Sequence, residues 1–269
     1  MSSSPNDRPE RVALVAGASR GIGADTAKAF ARAGFAVVLG ARDADALGRV
    51  VDQIQAGGGR AVAAKTDVGV VESMRALVDL AIDEYGRLDA AFNNATDGPM
   101  PSPLADIDPD EFDLGIRVNV RGTFLGMKFE IPAMLASGGG AIVNMASVAG
   151  VQAMTNLGAY VTSKAGIIAL TETAALDYAD RGIRVNVVAP GPILTHHLER
   201  AGAEAQRMAA ASVPMARVGT TGEVADTVLW LCSDQSSFIT GVTIPIDGGQ
   251  LAGLKPPRMY RQGEGMTDT

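Results

Sequence analysis

Seven short apolar runs alternate with longer amphipathic ones along this chain, and the first runs straight into a glycine-rich turn. Val12 to Ala16 reads as a strand, Gly17-Ala18-Ser19-Arg20-Gly21-Ile22-Gly23 as the turn, and Gly21 to Ala33 as a helix. Continuous apolar strands flanked by helices have both faces covered, which specifies a parallel sheet between two helix layers. Further strands are expected at Phe35 to Gly40, Ala61 to Ala64, Leu88 to Phe92, Ala141 to Met145, Ile183 to Val188 and Val242 to Ile246. Helices are expected at Asp43 to Ala56, Val71 to Tyr85, Glu111 to Leu135, Leu157 to Ala179 and Gly222 to Leu231. A loop rich in proline and aspartate spans Asp97 to Asp110, and a variable stretch runs from Gly191 to Pro214. The expected fold class is α/β: one doubly wound domain over 11–254, with a seven-stranded parallel sheet, helices on both faces, and tails at 1–10 and 255–269.

Length alone, 269 residues, allows two domains, but no linker, repeat or low-complexity block divides the chain. Lys and Arg number 23 against 30 Asp and Glu, a net charge of −7. An acidic surface repels phosphate backbones, so a nucleic-acid partner is not expected. No apolar run approaches the roughly eighteen residues of a membrane helix, so no membrane partner is expected either. The first ten residues are polar and lack an apolar signal core. The single cysteine, Cys232, sits in an apolar helical stretch and reads as core packing. Together these features point to the cytoplasm. His196 and His197 have no cysteine cluster or carboxylate pattern around them, so no metal site is expected.

Two features carry chemistry. Glycines at a strand-to-helix turn let the backbone approach a pyrophosphate, whose charge the helix N-terminus favours. The spacing here is Gly-x3-Gly-x-Gly. Further on, Tyr160 and Lys164 lie four residues apart on one helix face, with Ser147 thirteen residues before the tyrosine. An ammonium beside a phenol favours the phenolate and lowers its pKa from about 10. A tyrosine so tuned exchanges a proton with an alcohol or ketone near neutral pH.

Gly17, Gly21 and Gly23, Asn93-Asn94-Ala95, Asn119, Ser147, Tyr160-x-x-x-Lys164 and Pro190-Gly191 together resemble the short-chain dehydrogenase/reductase family, over roughly residues 10 to 250. The resemblance implies a Rossmann-like domain and a catalytic set of Asn119, Ser147, Tyr160 and Lys164. Tyr160 would be the general acid/base and Ser147 would hold the substrate oxygen. Lys164 would lower the tyrosine pKa and hold the nicotinamide ribose, and Asn119 would anchor a proton-relay water. The implied cofactor site is Gly17, Ser19, Arg20, Gly21, Ile22, Gly23, Arg42, Asp67, Val68, Asn93, Ala95, Tyr160, Lys164, Pro190, Gly191, Ile193 and Thr195. Within it Asp67 falls at the adenine, Asn93 along the cofactor and Thr195 near the nicotinamide carboxamide. Two positions depart from the family pattern: Ala16 stands where many relatives carry threonine, and Thr96 where glycine is usual.

The end of the second strand bears on cofactor choice. A carboxylate there would bind the ribose diol of NAD and repel the 2′-phosphate of NADP. The strand ends Leu39-Gly40-Ala41-Arg42, so Ala41 replaces the acid, and Arg20 can approach the same phosphate. NADP(H) is favoured by charge and fork geometry. NAD(H) stays open, because both arginines can be solvated and Asp43 can turn inward.

By resemblance, Ser147, Tyr160, Met154, Leu157 and Pro192 belong to the substrate site. Its lining, with Met100, Val151, Ile193, Leu194 and Met208, is largely apolar. His196 and His197 read as surface residues or as polar contacts to substrate. The leading expectation is an oxidoreductase, an enzyme interconverting a ketone and a secondary alcohol. Alternatives are a 3-oxoacyl-thioester reductase of the same family and a non-catalytic dinucleotide-binding regulatory protein. The family also implies a homotetramer paired through the two longest helices, where Gly158, Ala165, Gly166 and Ala169 permit close approach, and through the C-terminal strand region.

Overall fold

A computed structural model describes residues 11–98 and 100–253. Both expected tails lie outside these residues. The described chain forms seven parallel strands: β1 (Val12–Ala16), β2 (Ala36–Ala41), β3 (Ala61–Lys65), β4 (Ala90–Asn93), β5 (Gly140–Met145), β6 (Ile183–Pro190) and β7 (Thr243–Ile246). Their order across the sheet is β3-β2-β1-β4-β5-β6-β7. β1 pairs on one side with β2, Val12 opposite Ala36, and on the other with β4, Ala13 opposite Ala90. The winding direction therefore reverses between β1 and β4. A crevice opens at the carboxyl ends of strands at such a point.

The helices are α1 (Gly21–Arg32), α2 (Ala44–Ala56), α3 (Val71–Tyr85), α4 (Pro109–Gly115), α5 (Gly122–Ala136), α6 (Val148–Val151), α7 (Gly158–Tyr178), α8 (His196–Arg200), α9 (Gly202–Ala211) and α10 (Thr221–Leu231). None is long and apolar enough to cross a membrane among the described residues. Side chains alternate faces along a strand, so β1 feeds two cores. Ala13 and Val15 pack with Phe30 of α1, Leu47 of α2 and Val228 of α10. Val12, Leu14 and Ala16 pack with Leu77 of α3, Ile131 of α5 and Ala175 of α7. Each fully buried valine or leucine contributes about 1.5–3 kcal/mol.

Three features differ from the expected pattern. The long helix over Glu111 to Leu135 begins earlier, at Pro109, with Asp108 capping it through the Asp110 N–H. It is also interrupted by a π-helical turn, Ile116–Arg121. The variable stretch after Gly191 holds α8 and α9, neither of which has a buried residue. Without a buried face, no apolar stripe marks them in the sequence. α6 is one turn long, too short for periodicity to register.

Candidate active site

The carboxyl ends of the strands wall a cleft of about 610 Å³, within the usual range for ligand sites. Its first wall is the glycine turn. Gly17 adopts φ +85°, and a Cβ there would stand 2.6 Å from the Ala95 nitrogen. Gly17 and Ala18 N–H groups both donate to the Gly40 carbonyl, and Asn94 Nδ2 donates to the Gly17 carbonyl at 2.9 Å. Asn94 thus braces the turn that a hydroxyl at position 16 would otherwise support.

The start of α1 suits a phosphate. No side chain caps it, no acid lies in its first turn, and Gly21 offers no Cβ to the cleft. Uncapped N–H groups and the helix dipole both attract an anion. Ser19, Arg20, Gly21 and Ile22 line the cleft here, with Arg42, Asp67 and Val68 at the same end. Ala95, Pro190, Gly191, Ile193 and Thr195 continue the lining toward Ser147, Tyr160 and Lys164. These residues fit an extended dinucleotide, which the start of α1 would hold at its phosphates.

Ser147 ends the segment after β5 and caps α6, accepting from the Ala149 N–H at 3.2 Å. Its hydroxyl donates to the Pro190 carbonyl at 3.5 Å and stands close enough to Tyr160, on the first turn of α7, to favour the phenolate. One turn further, Lys164 is buried and its Nζ donates to the Met145 carbonyl at 3.1 Å. The same Nζ lies 5.5 Å from the centre of the Tyr160 ring. The cluster therefore forms as the spacing implies.

Its electrostatics differ from the expectation of a depressed phenol. Burial pushes the Tyr160 phenol above its ordinary value, and the nearby Ser147 hydroxyl only partly offsets this. Burial also pulls the Lys164 ammonium down to about 7. An amine that has lost its proton by then carries no charge to stabilise a phenolate at higher pH.

Other site residues fall elsewhere than the resemblance implies. Asn93 does not reach the cleft: side chains alternate across β4, and its carboxamide turns inward to Glu130 and Asn144, each at 3.0 Å. Asn94 lines the cleft in its place. Gly23 is absent from the lining too. It lets α1 close on the turn, since a Cβ there would strike the Gly17 carbonyl and stand 2.6 Å from Asn94 Nδ2.

Asn119 lies in the π-helical turn, fully buried. Its Oδ1 accepts from the Asp97 N–H at 3.1 Å, and its Nδ2 donates to the Asp97 carbonyl at 2.7 Å and to Ser163 Oγ at 3.0 Å. The carboxamide is engaged by protein and ties the loop after β4 to α7.

Asp67 lines the cleft but is anchored by the Gly69 N–H at 2.9 Å and by Arg117 at 3.3 Å. Burial raises its pKa, yet the Gly69 bond, Arg117 and Arg42 outweigh it and hold the carboxyl below the ordinary range.

Of the expected substrate residues, Met154, Leu157 and Pro192 stand outside the main cleft. Leu157 forms a bridge with Ser102, and Pro192 lines a smaller cavity of about 250 Å³ with Val213 and Met215. His196 and His197, although exposed at the start of α8, do line the cleft. Thr96 lines it with an ordinary negative φ, so the backbone does not require glycine there. Thr66, Asp97, Val118, Met145 and Ala146 also line it. The ends of β3, β4 and β5 are the sequence signal for Thr66, Asp97, Met145 and Ala146, whereas Val118 lies in the π-helical turn, which no sequence signal marks.

Comparison with known proteins agrees with this geometry. A family model described as enoyl-(acyl carrier protein) reductase matches residues 17–250. Cyclohexanol dehydrogenase of Acinetobacter sp. (strain SE19) is 42% identical over 88% of this chain and 94% of its own. The A-factor type gamma-butyrolactone 1′-reductase (1S-forming) of Streptomyces virginiae is 40% identical over 89% and 95%. A solved short-chain type dehydrogenase/reductase from Mycobacterium ulcerans superposes with TM-score 0.87 at 30% identity, covering 90% of each chain. With its strand order, its glycine turn and its Ser147–Tyr160–Lys164 cluster, the chain belongs to the short-chain dehydrogenase/reductase family, oxidoreductases acting on CH–OH groups with a nicotinamide dinucleotide.

Proposed function

We propose that this enzyme interconverts a secondary alcohol on an alicyclic ring and the corresponding ketone, with NADP(H) favoured and NAD(H) possible. The observation that carries the reading is that Ser147, Tyr160 and Lys164 line one cleft together, with Lys164 Nζ 5.5 Å from the Tyr160 ring centre and the glycine turn along the same wall. A bound nicotinamide supplies or accepts the hydride.

The chain's own residues handle the oxygen and its proton. Tyr160 Oη donates a proton to the carbonyl oxygen in reduction and takes it back in oxidation. Ser147 Oγ donates a hydrogen bond to the same oxygen and holds it against the phenol. Burial keeps the phenol protonated at neutral pH, which suits the reductive direction. Lys164 holds the floor behind the ring through Met145, and Asn119 positions the loop after β4. The ring-alcohol substrate is supported by the name of the cyclohexanol relative. Apolar side chains also stand beside the site: Val151 on α6 is 51% exposed, and Leu104 lies over Gly158 at the start of α7.

NADP(H) is supported by Arg20 and Arg42 in the cleft and by Ala41 in the place of an acid. The same reading assembles the chain as a homotetramer. Ala165, Ala169 and Leu176 form an exposed stripe on α7. Gly158 and Gly166, by contrast, pack within the chain, against Leu104 and Val120. A cytoplasmic location is supported by the single cysteine, Cys232, which leaves no internal disulfide possible.

The test is a fluorescence titration with NADPH and NADH, followed by turnover of cyclohexanone. Arg42→Asp is expected to weaken NADPH at least about tenfold more than NADH. Equal loss overturns the NADP assignment, and failure to turn over any cyclic ketone or alcohol overturns the substrate class.

A further inference from the structure

The Arg42 guanidinium pairs with Asp97 Oδ2 at 3.0 Å. Arg42 follows β2 and Asp97 follows β4, while β1 lies between those strands. The pair therefore bridges over the glycine turn, and both residues line the cleft. The two partners are held very differently. Asp97 has its N–H and its C=O both bonded to the carboxamide of the buried Asn119. Arg42 is the movable member, with 63% of its side chain exposed. On its other side Arg42 helps hold the Asp67 carboxylate charged. Asp43, the remaining acid here, accepts from the Ala46 N–H and caps α2.

We propose that Asp97 is a specificity-determining residue for the dinucleotide: a fixed carboxylate that holds Arg42 as its counter-ion and so limits discrimination in favour of a 2′-phosphate. The inference rests on the reading of Arg42 as the phosphate ligand. A 2′-phosphate requires Arg42 to leave Asp97 and then places like charge beside that carboxylate. A ribose diol requires neither, and its hydroxyls are donors to a carboxylate. Asp97 thus supplies, from the loop after β4, the acid that Ala41 does not supply at the end of β2.

The test measures the dissociation constants of NADPH and NADH for the native enzyme and for Asp97→Asn, Asp97→Ser and Asp97→Glu. Both neutral variants are expected to shift the ratio toward NADPH by about fivefold or more, the range open to an exposed ion pair and its neighbouring charge. Asp97→Glu, which keeps the charge, is expected to stay near the native ratio. Two neutral side chains keep the test decisive if one of them folds poorly. An unchanged ratio in the neutral variants, or the same shift in Asp97→Glu, overturns the proposal. Failure of the underlying reading looks different: Arg42→Ala would weaken NADPH and NADH equally, whatever the Asp97 variants do.

Discussion

Lys164 Nζ donates to the backbone carbonyl of Met145, the last residue of β5, at 3.1 Å. That bond anchors α7 to the sheet next to Ser147, so the lysine fixes the geometry of the site as well as its charge. It does so from full burial, which pulls the ammonium down to about 7. Between that value and about 10.4, the folded chain binds fewer protons at this position than the unfolded chain. Folding stability then rises with pH in that window.

Lys164→Met removes this dependence. The stability of the native enzyme relative to the variant is expected to increase from pH 7 to pH 10, by at most about 1.4 kcal/mol per pH unit. Urea denaturation of both proteins at pH 7 and pH 9 checks it. A constant difference would mean that Lys164 stays charged throughout.

Glu130 gives the opposite sign. It is buried, its Oε1 has no partner among the described residues, and Asn93 Nδ2 donates to its Oε2. Burial pushes its pKa up to about 7, with the Asn93 bond opposing. Stability from the protonated form is fully present below the ordinary value of 4.5 and is lost as pH rises through about 7. Glu130→Gln is therefore expected to match the native enzyme near pH 4.5 and to exceed it at pH 8 by up to about 3 kcal/mol. Denaturation midpoints at the two pH values decide the matter. A variant destabilised equally at both would place the role in packing alone.

Gly23→Ala tests the glycine turn. The added methyl meets the Gly17 carbonyl and the Asn94 carboxamide, neither of which is a flexible side-chain end free to swing away. Overpacking of this kind costs about 1–3 kcal/mol, so a lower Tm and roughly tenfold weaker dinucleotide binding are expected. Native affinity in the variant would show that the turn adjusts at little cost.

The sheet and most helices were legible because their apolar patterns are long and periodic; β1 and α3 match their expected bounds residue for residue. What was not legible depended on short or polar elements. The π-helical turn that places Asn119 looks in sequence like more of one helix. The Asn93–Asn94 pair gave the site's neighbourhood, but only the strand's alternation assigns Asn94 to the cleft and Asn93 to the core. The electrostatics were hidden as well. Four-residue spacing put Lys164 beside Tyr160, whereas the depth of burial, which governs both pKa values, belongs to the packing of α7 on β5.

In the proposed reaction Tyr160 carries the proton at the oxygen that Ser147 holds. The most direct test of that role is steady-state turnover of cyclohexanone or cyclohexanol by Tyr160→Phe, paired with a fluorescence titration of NADPH. The phenyl ring keeps the packing and removes only the hydroxyl. The expected result is a fall in kcat of about 10²–10⁴-fold with dinucleotide affinity nearly unchanged. Native turnover in the variant would contradict it.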